Sequence, residues 1–414
     1  MLRARIFESL SNPAAAEEAY LTAMAENPND SQLRTELGDL YTRQGLSTQA
    51  LAAYEAALAI RPGSVEAIRK LLNHRSIPPD GPITATLLAA ALDDQRTRDA
   101  QARHLFLLGQ IYVDAGLDTT GFEFYRAGNA KIAHQHADNA REYHIPTAVS
   151  TLAHRLQRSG HPDGNTGHCP AVIVTGLPRS GKSLVEQLLV QSPAIVSGGE
   201  LAHVRKLATD LETSGALDSA IAQPDHPART RLTAAYNAAR RDPAVRYIVD
   251  TSPANLKVLG YLGLLYPTVP IVFCTRRVDD LGVSIYFKKF RRGHLYSYQL
   301  AQLGRAVARS EQLIALWTSL LPNPCLTIPY EALVQDPSAT LQRLHAYLGV
   351  SPVTPPHPSS TALSGTPSWR IFPSRSIDHT AGISSSLVGF AERFANQLHP
   401  LMDAYGQETG RGLR

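Results

Sequence analysis

Apolar positions in the first 130 residues recur at three- and four-residue intervals, as in "ALAAYEAALAI" (50–60), and no run there alternates with the period of two that a half-buried strand needs. From Ala171 the texture changes. Short apolar runs, "AVIVTG" (171–176), "AIVS" (194–197), "YIVD" (247–250), "PIVFCT" (270–275) and "CLTIPY" (325–330), now alternate with helical segments. That alternation predicts an α/β domain built on a parallel sheet. The chain therefore divides into an all-α helical domain (1–130), a polar connector (131–169) and an α/β domain (170–414).

The helical part contains a repeat. Pro28 closes one helical run and Pro62 the next, 34 residues later, which is the tetratricopeptide period. Between them, Leu37-Gly38, Tyr41, Gly45, Ala50, Tyr54, Ala57 and Pro62 resemble that repeat's helix-turn-helix pattern. Small residues at 38, 50 and 57 allow two helices to approach closely, and Gly45 suits the turn. "HRSIPPDGP" (74–82) breaks the run, and a degenerate copy follows at 105–130. Stacked repeats generally present a concave partner-binding face, so a protein or peptide partner is expected here and no chemistry.

Composition adds little and excludes much. Hydrophobic residues make up 43% and charged residues 18% of the chain, and the net charge of +4 is mild. This suits a soluble protein with a local anion site and argues against a general nucleic-acid surface. No run of about eighteen uncharged apolar residues predicts a membrane span, and the first twenty residues lack a signal-peptide core, so cytoplasmic location is expected. Three separated cysteines form no disulfide framework, and Cys274 and Cys325 read as buried thiols. The connector's histidines (134, 136, 144, 154, 161, 168) lack metal spacing on one helix face and read as a solvated linker.

Candidate chemistry concentrates after the first strand of the α/β domain. "GLPRSGKS" (176–183) matches the phosphate loop G-x-x-x-x-G-K-[ST]. Gly176 and Gly181 permit a tight turn, and backbone amides and the following helix N-terminus converge on an anion. Arg179 offers paired charge-assisted hydrogen bonds, and Ser180, Lys182 and Ser183 add donors. Arg276, at the tip of "PIVFCT", and Ser284, two helical turns on, can clamp a second and separate phosphate. Glu200 follows a Gly-Gly turn at the end of "AIVS", where a carboxylate can act as general base.

Together P-R-S-G (178–181), Glu200, D-x-x-P-x-N (250–255), Arg276 with Ser284, and Y-E-x-L-V-x-D-P (330–337) resemble the sulfotransferases that use 3′-phosphoadenosine 5′-phosphosulfate. The chain resembles bacterial members with tetratricopeptide repeats before the sulfotransferase domain, a branch similar to the tyrosylprotein sulfotransferases. The resemblance implies a P-loop-like sulfotransferase fold. It implies that Arg179, Ser180, Gly181, Lys182 and Ser183 cradle the 5′-phosphosulfate, that Arg276 and Ser284 hold the 3′-phosphate, and that Tyr330 contacts the co-substrate. Glu200 would deprotonate the acceptor hydroxyl, a peptide tyrosine, carbohydrate or small molecule, and no metal is required.

Two positions depart from the family pattern. Gly181-Lys182-Ser183 stands where relatives commonly read G-T-T, and Thr251 stands where they commonly carry a lysine that steadies the bridging oxygen of the scissile bond. Lys182 is the candidate replacement for that charge. The alternatives are an ATP-dependent P-loop kinase or hydrolase, with Asp250 as its magnesium ligand, and a non-catalytic repeat scaffold. "KKFRRGH" (288–294) reads as a solvated helix end or as a surface for an acidic acceptor. Trp369 and Arg370 lie in a Ser/Pro-rich segment that could fold over the co-substrate, and "LVGFAERFANQLHPLM" (387–402) reads as an amphipathic packing helix.

Overall fold

A computed structural model describes residues 1–10, 12–135, 143–159, 168–290, 293–351, 377–378, 382–383 and 385–410. His136, His161, Arg291, Arg292, Trp369 and Arg370 lie outside the described residues.

The N-terminal helices run from Leu2–Ser9 to Asp118–Gln135. Side-chain caps start several of them: Asn12 accepts from Ala15 N–H ahead of Pro13, Asp30 from Gln32 and Leu33, and Thr97 from Ala100. The hairpin Ser31–Arg43 with Ser47–Ile60 packs Gly38 under the Tyr54 ring so closely that a Cβ would lie 2.5 Å from Tyr54 Cε1. The hairpin Arg98–Asp114 with Asp118–Gln135 repeats the device: a Cβ on Gly109 would lie 2.8 Å from Tyr125 Cδ2. Gly45 and Gly116, at matching places in the two turns, share a φ of +78°. The degenerate copy is thus a true structural repeat.

That second hairpin belongs equally to the α/β half. Tyr125 stacks on Phe287 with ring centroids 3.9 Å apart, Phe122 stacks on Tyr286, and Asn129 Nδ2 donates to the Tyr286 carbonyl at 3.0 Å. Lys289 reaches back to Asp99 at 2.6 Å, and Arg393 pairs with Asp118. The boundary expected at residue 130 therefore falls inside a packed helix. The linker reading of 131–169 needs a similar correction. His144, His154 and His168 are exposed, but Ala148–Ser159 is a helix, and Tyr143, Val149 and Leu152 are buried in the same core as the sheet.

Strands β1 (Ala171–Thr175), β2 (Ile195–Gly199), β3 (Tyr247–Asp250), β4 (Ile271–Thr275) and β5 (Cys325–Pro329) form a parallel sheet in the order β2-β3-β1-β4-β5. All five coincide with the apolar runs. One face is covered by Lys182–Leu189 and Pro337–Leu348 through Leu184, Val185, Leu188, Leu341 and Leu344. The other is covered by helices that include Leu300–Leu320, whose Trp317 is fully buried. Cys274 is buried as expected, but Cys325, on the edge strand, is only half-buried. Residues 390–409 form a 3-10 segment and a helix that bury Ala391, Phe394 and Leu401.

From β1 the chain builds the sheet first toward β3 and β2, then toward β4 and β5. The switch leaves a crevice at the carboxyl ends of β1 and β4, the place where open α/β sheets bind ligands.

Candidate active site

The loop after β1 is shaped by close approach. Gly176 has φ +143°, and a Cβ there would meet the Cys274 carbonyl oxygen of β4 at 2.4 Å. Gly181 (φ +101°) caps the helix Lys182–Leu189 without a side-chain cap, so the first-turn amides keep donors for an anion. Between them Arg179 itself sits at φ +70°, an uncommon conformation for a side-chain-bearing residue that accompanies functional loops. Its Nε donates to Ser284 Oγ at 2.9 Å, reaching the helix Val278–Tyr286 that follows β4.

Arg276 is buried at the tip of β4, with its guanidinium 4.2 Å from the centre of the Tyr330 ring. One of its nitrogens donates to the Leu387 carbonyl at 2.8 Å, and another lies 3.5 Å from the Arg179 carbonyl. Lys182 is buried and donates to the Leu177 carbonyl at 2.8 Å, while Ser183 is exposed. The two phosphate-holding groups expected to lie apart, the β1 loop and the Arg276/Ser284 pair, are contiguous.

Three cations thus share one low-dielectric corner. Burial, aided by the like charge of Arg276, brings Arg179 down to about 10. Burial brings Lys182 down to about 8, with Arg179 adding to the shift and Cys274 and Glu200 opposing it. Arg276 is lowered too, mainly by burial. Arg276 and Lys182 form no ion pair among the described residues; their partners are carbonyls. Ser180 Oγ, Arg276 Nε and Tyr330 Oη are buried with no hydrogen-bond partner among the described residues. A corner this rich in donors and this poor in acceptors fits a multiply charged anion.

Glu200 follows β2 and is exposed. Its two neighbours are held by carboxylates: Glu186, which the sequence did not single out, and Asp250, which it offered only as part of D-x-x-P-x-N and as a magnesium ligand of the kinase alternative. Glu186, buried in the helix after the loop, accepts from Gly199 N–H at 3.0 Å and Ser197 Oγ–H at 2.6 Å. Asp250, at the end of β3, accepts from Leu201 N–H at 3.3 Å, Ser252 N–H at 3.0 Å and Tyr236 Oη–H at 2.7 Å. Both Asp250 oxygens are engaged inside the fold, which removes the residue from the magnesium role the kinase alternative gives it. Thr251 is buried, and its N–H donates to the Gly199 carbonyl at 2.8 Å. Of "KKFRRGH", Lys289 is committed to Asp99 rather than offered to a partner.

Residues 170–355 match the sulfotransferase family model, and residues 1–65 match a tetratricopeptide-repeat model. The α/β half is a sulfotransferase-family domain. The match contains every candidate residue from Arg179 to Tyr330, and a domain of this family points to sulfonate transfer as the class of reaction. An uncharacterized protein of Aquifex aeolicus is 22% identical over 363 residues, 83% of this chain and 47% of its own length. Nodulation protein NoeE of Sinorhizobium fredii is 27% identical over 218 residues, 44% of this chain and 50% of its own length. The chain spans about half the length of these curated relatives. Among the described residues, no helix is long and apolar enough to cross a membrane, and no group of three or more His, Cys, Asp or Glu side chains could hold a metal ion.

Proposed function

We propose that this protein transfers a sulfonate group from 3′-phosphoadenosine 5′-phosphosulfate to an acceptor hydroxyl, with peptide tyrosine one candidate acceptor and the repeats gripping a protein or peptide partner. The observation that carries the reading is the set of buried donors without a partner among the described residues, Ser180 Oγ, Arg276 Nε and Tyr330 Oη, beside the half-buried Arg179 and the buried Lys182. The β1 loop and Lys182 cradle the phosphosulfate; Arg276, Ser284 and Tyr330 take the nucleotide's other phosphate and flank. Lys182 supplies the positive charge that Thr251 does not.

Transfer requires an in-line geometry in which the acceptor oxygen bonds to sulfur as the bond from sulfur to the 5′-phosphate oxygen breaks. The acceptor proton passes to Glu200, whose exposure leaves its carboxylate open to an arriving hydroxyl. Fixed cations and amides stabilise charge on the leaving phosphate without reorganising at the moment of reaction.

Calorimetric titration tests the reading against its rivals. Binding of 3′-phosphoadenosine 5′-phosphate without binding of Mg-ATP supports it. The reverse result supports an ATP-dependent enzyme, as the literal G-K-S ending of the loop would have it, and binding of neither supports a non-catalytic scaffold.

A further inference from the structure

The peptide units on both sides of Glu200 are each held by a buried carboxylate, and the two carboxylates come from different elements. Glu186 Oε1 accepts from the residue before it (Gly199 N–H, 3.0 Å), and Asp250 Oδ1 from the residue after it (Leu201 N–H, 3.3 Å). A third bond, from Thr251 N–H to the Gly199 carbonyl at 2.8 Å, ties the same turn to the end of β3. Gly199 sits at φ +65°, so the backbone turns sharply at this point and needs to be held.

We propose that Glu186 and Asp250 are positioning residues for the base Glu200, fixing its distance from the donor-binding loop. The inference rests on the sulfotransferase reading given above. Glu186 lies one helical turn after Lys182 on the helix whose N-terminus meets the anion. The element that receives the donor therefore also holds the turn that carries the base. Asp250 holds the other side from the strand next to β1, and is itself fixed by Tyr236 and by Ser252 N–H.

Every one of these bonds is donated to the carboxylates, as ionised groups require. Burial pushes both acids upward, by desolvation first. Two charges kept in a low-dielectric layer are costly for a structural purpose that a neutral amide or a plain turn could serve. Sub-ångström placement of a proton acceptor is a purpose that repays them, since a misplacement of about 1 Å can reduce a rate on the order of 100-fold.

The test is a double-mutant cycle on sulfonate transfer, with affinity for 3′-phosphoadenosine 5′-phosphate and melting temperature measured on each protein. Glu186→Gln and Asp250→Asn should each lower kcat on the order of 10- to 100-fold, with KM for the acceptor and nucleotide affinity within about threefold of wild type. In a Glu200→Gln background the same substitutions should cost nothing more in kcat, because there is no base left to position. Glu186→Asp, which keeps the charge but shortens the reach, should recover part of the loss.

If wild type transfers no sulfonate, or Glu200→Gln retains its rate, the underlying functional reading fails. If Glu200→Gln is inactive but both positioning variants keep kcat within twofold of wild type, the positioning inference alone is overturned. It is also overturned if their losses multiply with that of Glu200→Gln, or if nucleotide affinity falls in parallel with kcat. Should Asp250→Asn fail to fold, Glu186→Gln and Glu186→Asp decide the matter.

Discussion

Arg179 Nε donates to Ser284 Oγ across 2.9 Å, joining the loop after β1 to the helix after β4 at the mouth of the crevice between them. The contact holds a guanidinium in a strained backbone position, oriented by a hydroxyl that would also face the ligand. Arg179→Lys should therefore weaken binding of 3′-phosphoadenosine 5′-phosphate by about tenfold or more, because an ammonium cannot reproduce the planar fork. Ser284→Ala should cost about two- to fivefold, and the double variant less than the product of the two, as expected for touching residues. Isothermal calorimetry checks all three, and a multiplicative double variant would show the contact to be incidental.

Lys182 gives a pH-dependent signature. In the ligand-free protein it titrates at about 8 rather than near 10.5, because burial outweighs the pull of Cys274 and Glu200. Above pH 8 it is mainly neutral, and an arriving anion favours the charged form, so that Lys182 takes a proton from the buffer on binding. Binding of 3′-phosphoadenosine 5′-phosphate should thus weaken as pH rises through 8, and at pH 9, where the ligand's phosphates are already fully ionised, its heat should depend on the buffer through the proton that Lys182 takes up. Lys182→Met should remove the buffer dependence. Lys182→Ala should also lose most turnover, and a near-normal rate would end its role as replacement for the lysine absent at Thr251.

The paired Gly-Tyr contacts predict equal sensitivity in the two repeat hairpins. A methyl group at Gly38 or Gly109 has no room against the Tyr54 or Tyr125 ring. Each Gly→Ala substitution should destabilise by about 1–3 kcal/mol through overpacking, in spite of alanine's better helix propensity. Thermal melts would show it. Gly109→Ala should in addition weaken nucleotide binding, since Tyr125 stacks on Phe287, three residues past Ser284.

His294 is held down to about 4 by burial first and then by the charges of Lys182 and Lys257, while its ring bonds to Tyr296 Oη. The unfolded chain binds this proton near 6.5, so from pH 6.5 to 4 it is the unfolded state that takes it up, and stability falls as pH falls. His294→Asn, tolerant of the residue's φ of +55°, should flatten that decline relative to wild type in urea melts at pH 6.5, 5.5 and 4.5.

Much of this organisation is legible in the chain itself. Five apolar runs locate five strands: the central β1, β3 and β4 are buried almost throughout and so continuously hydrophobic, while the edge strands β2 and β5 are half-buried and still apolar enough to show. The phosphate loop, Arg276, Ser284 and Tyr330 are visible as residue types at strand tips. What stayed hidden depends on chain segments distant in sequence. Glu186 in "SLVEQLL" looks like any polar position on an amphipathic helix, and its job appears only when Gly199 folds back on it. Asp250 reads as a metal ligand until its oxygens are seen to be spent on Leu201, Ser252 and Tyr236. The connector's Tyr143 and Leu152 sit among polar residues and histidines, so composition suggested solvent where packing supplies a core.

The aromatic seam formed by Phe122, Tyr125, Tyr286, Phe287 and Phe394 makes the two halves inseverable at the point where their sequence character changes. A fragment beginning at residue 131 would carry the whole candidate crevice but lose Phe122 and Tyr125, and so bare Tyr286, Phe287 and Phe394 to water. The smallest autonomous unit must begin no later than Arg98, and even there it strips the cover that Pro82–Leu92 lays over Leu107 and Leu108. The last helical hairpin is thus as much a wall of the α/β half as it is the end of the repeats.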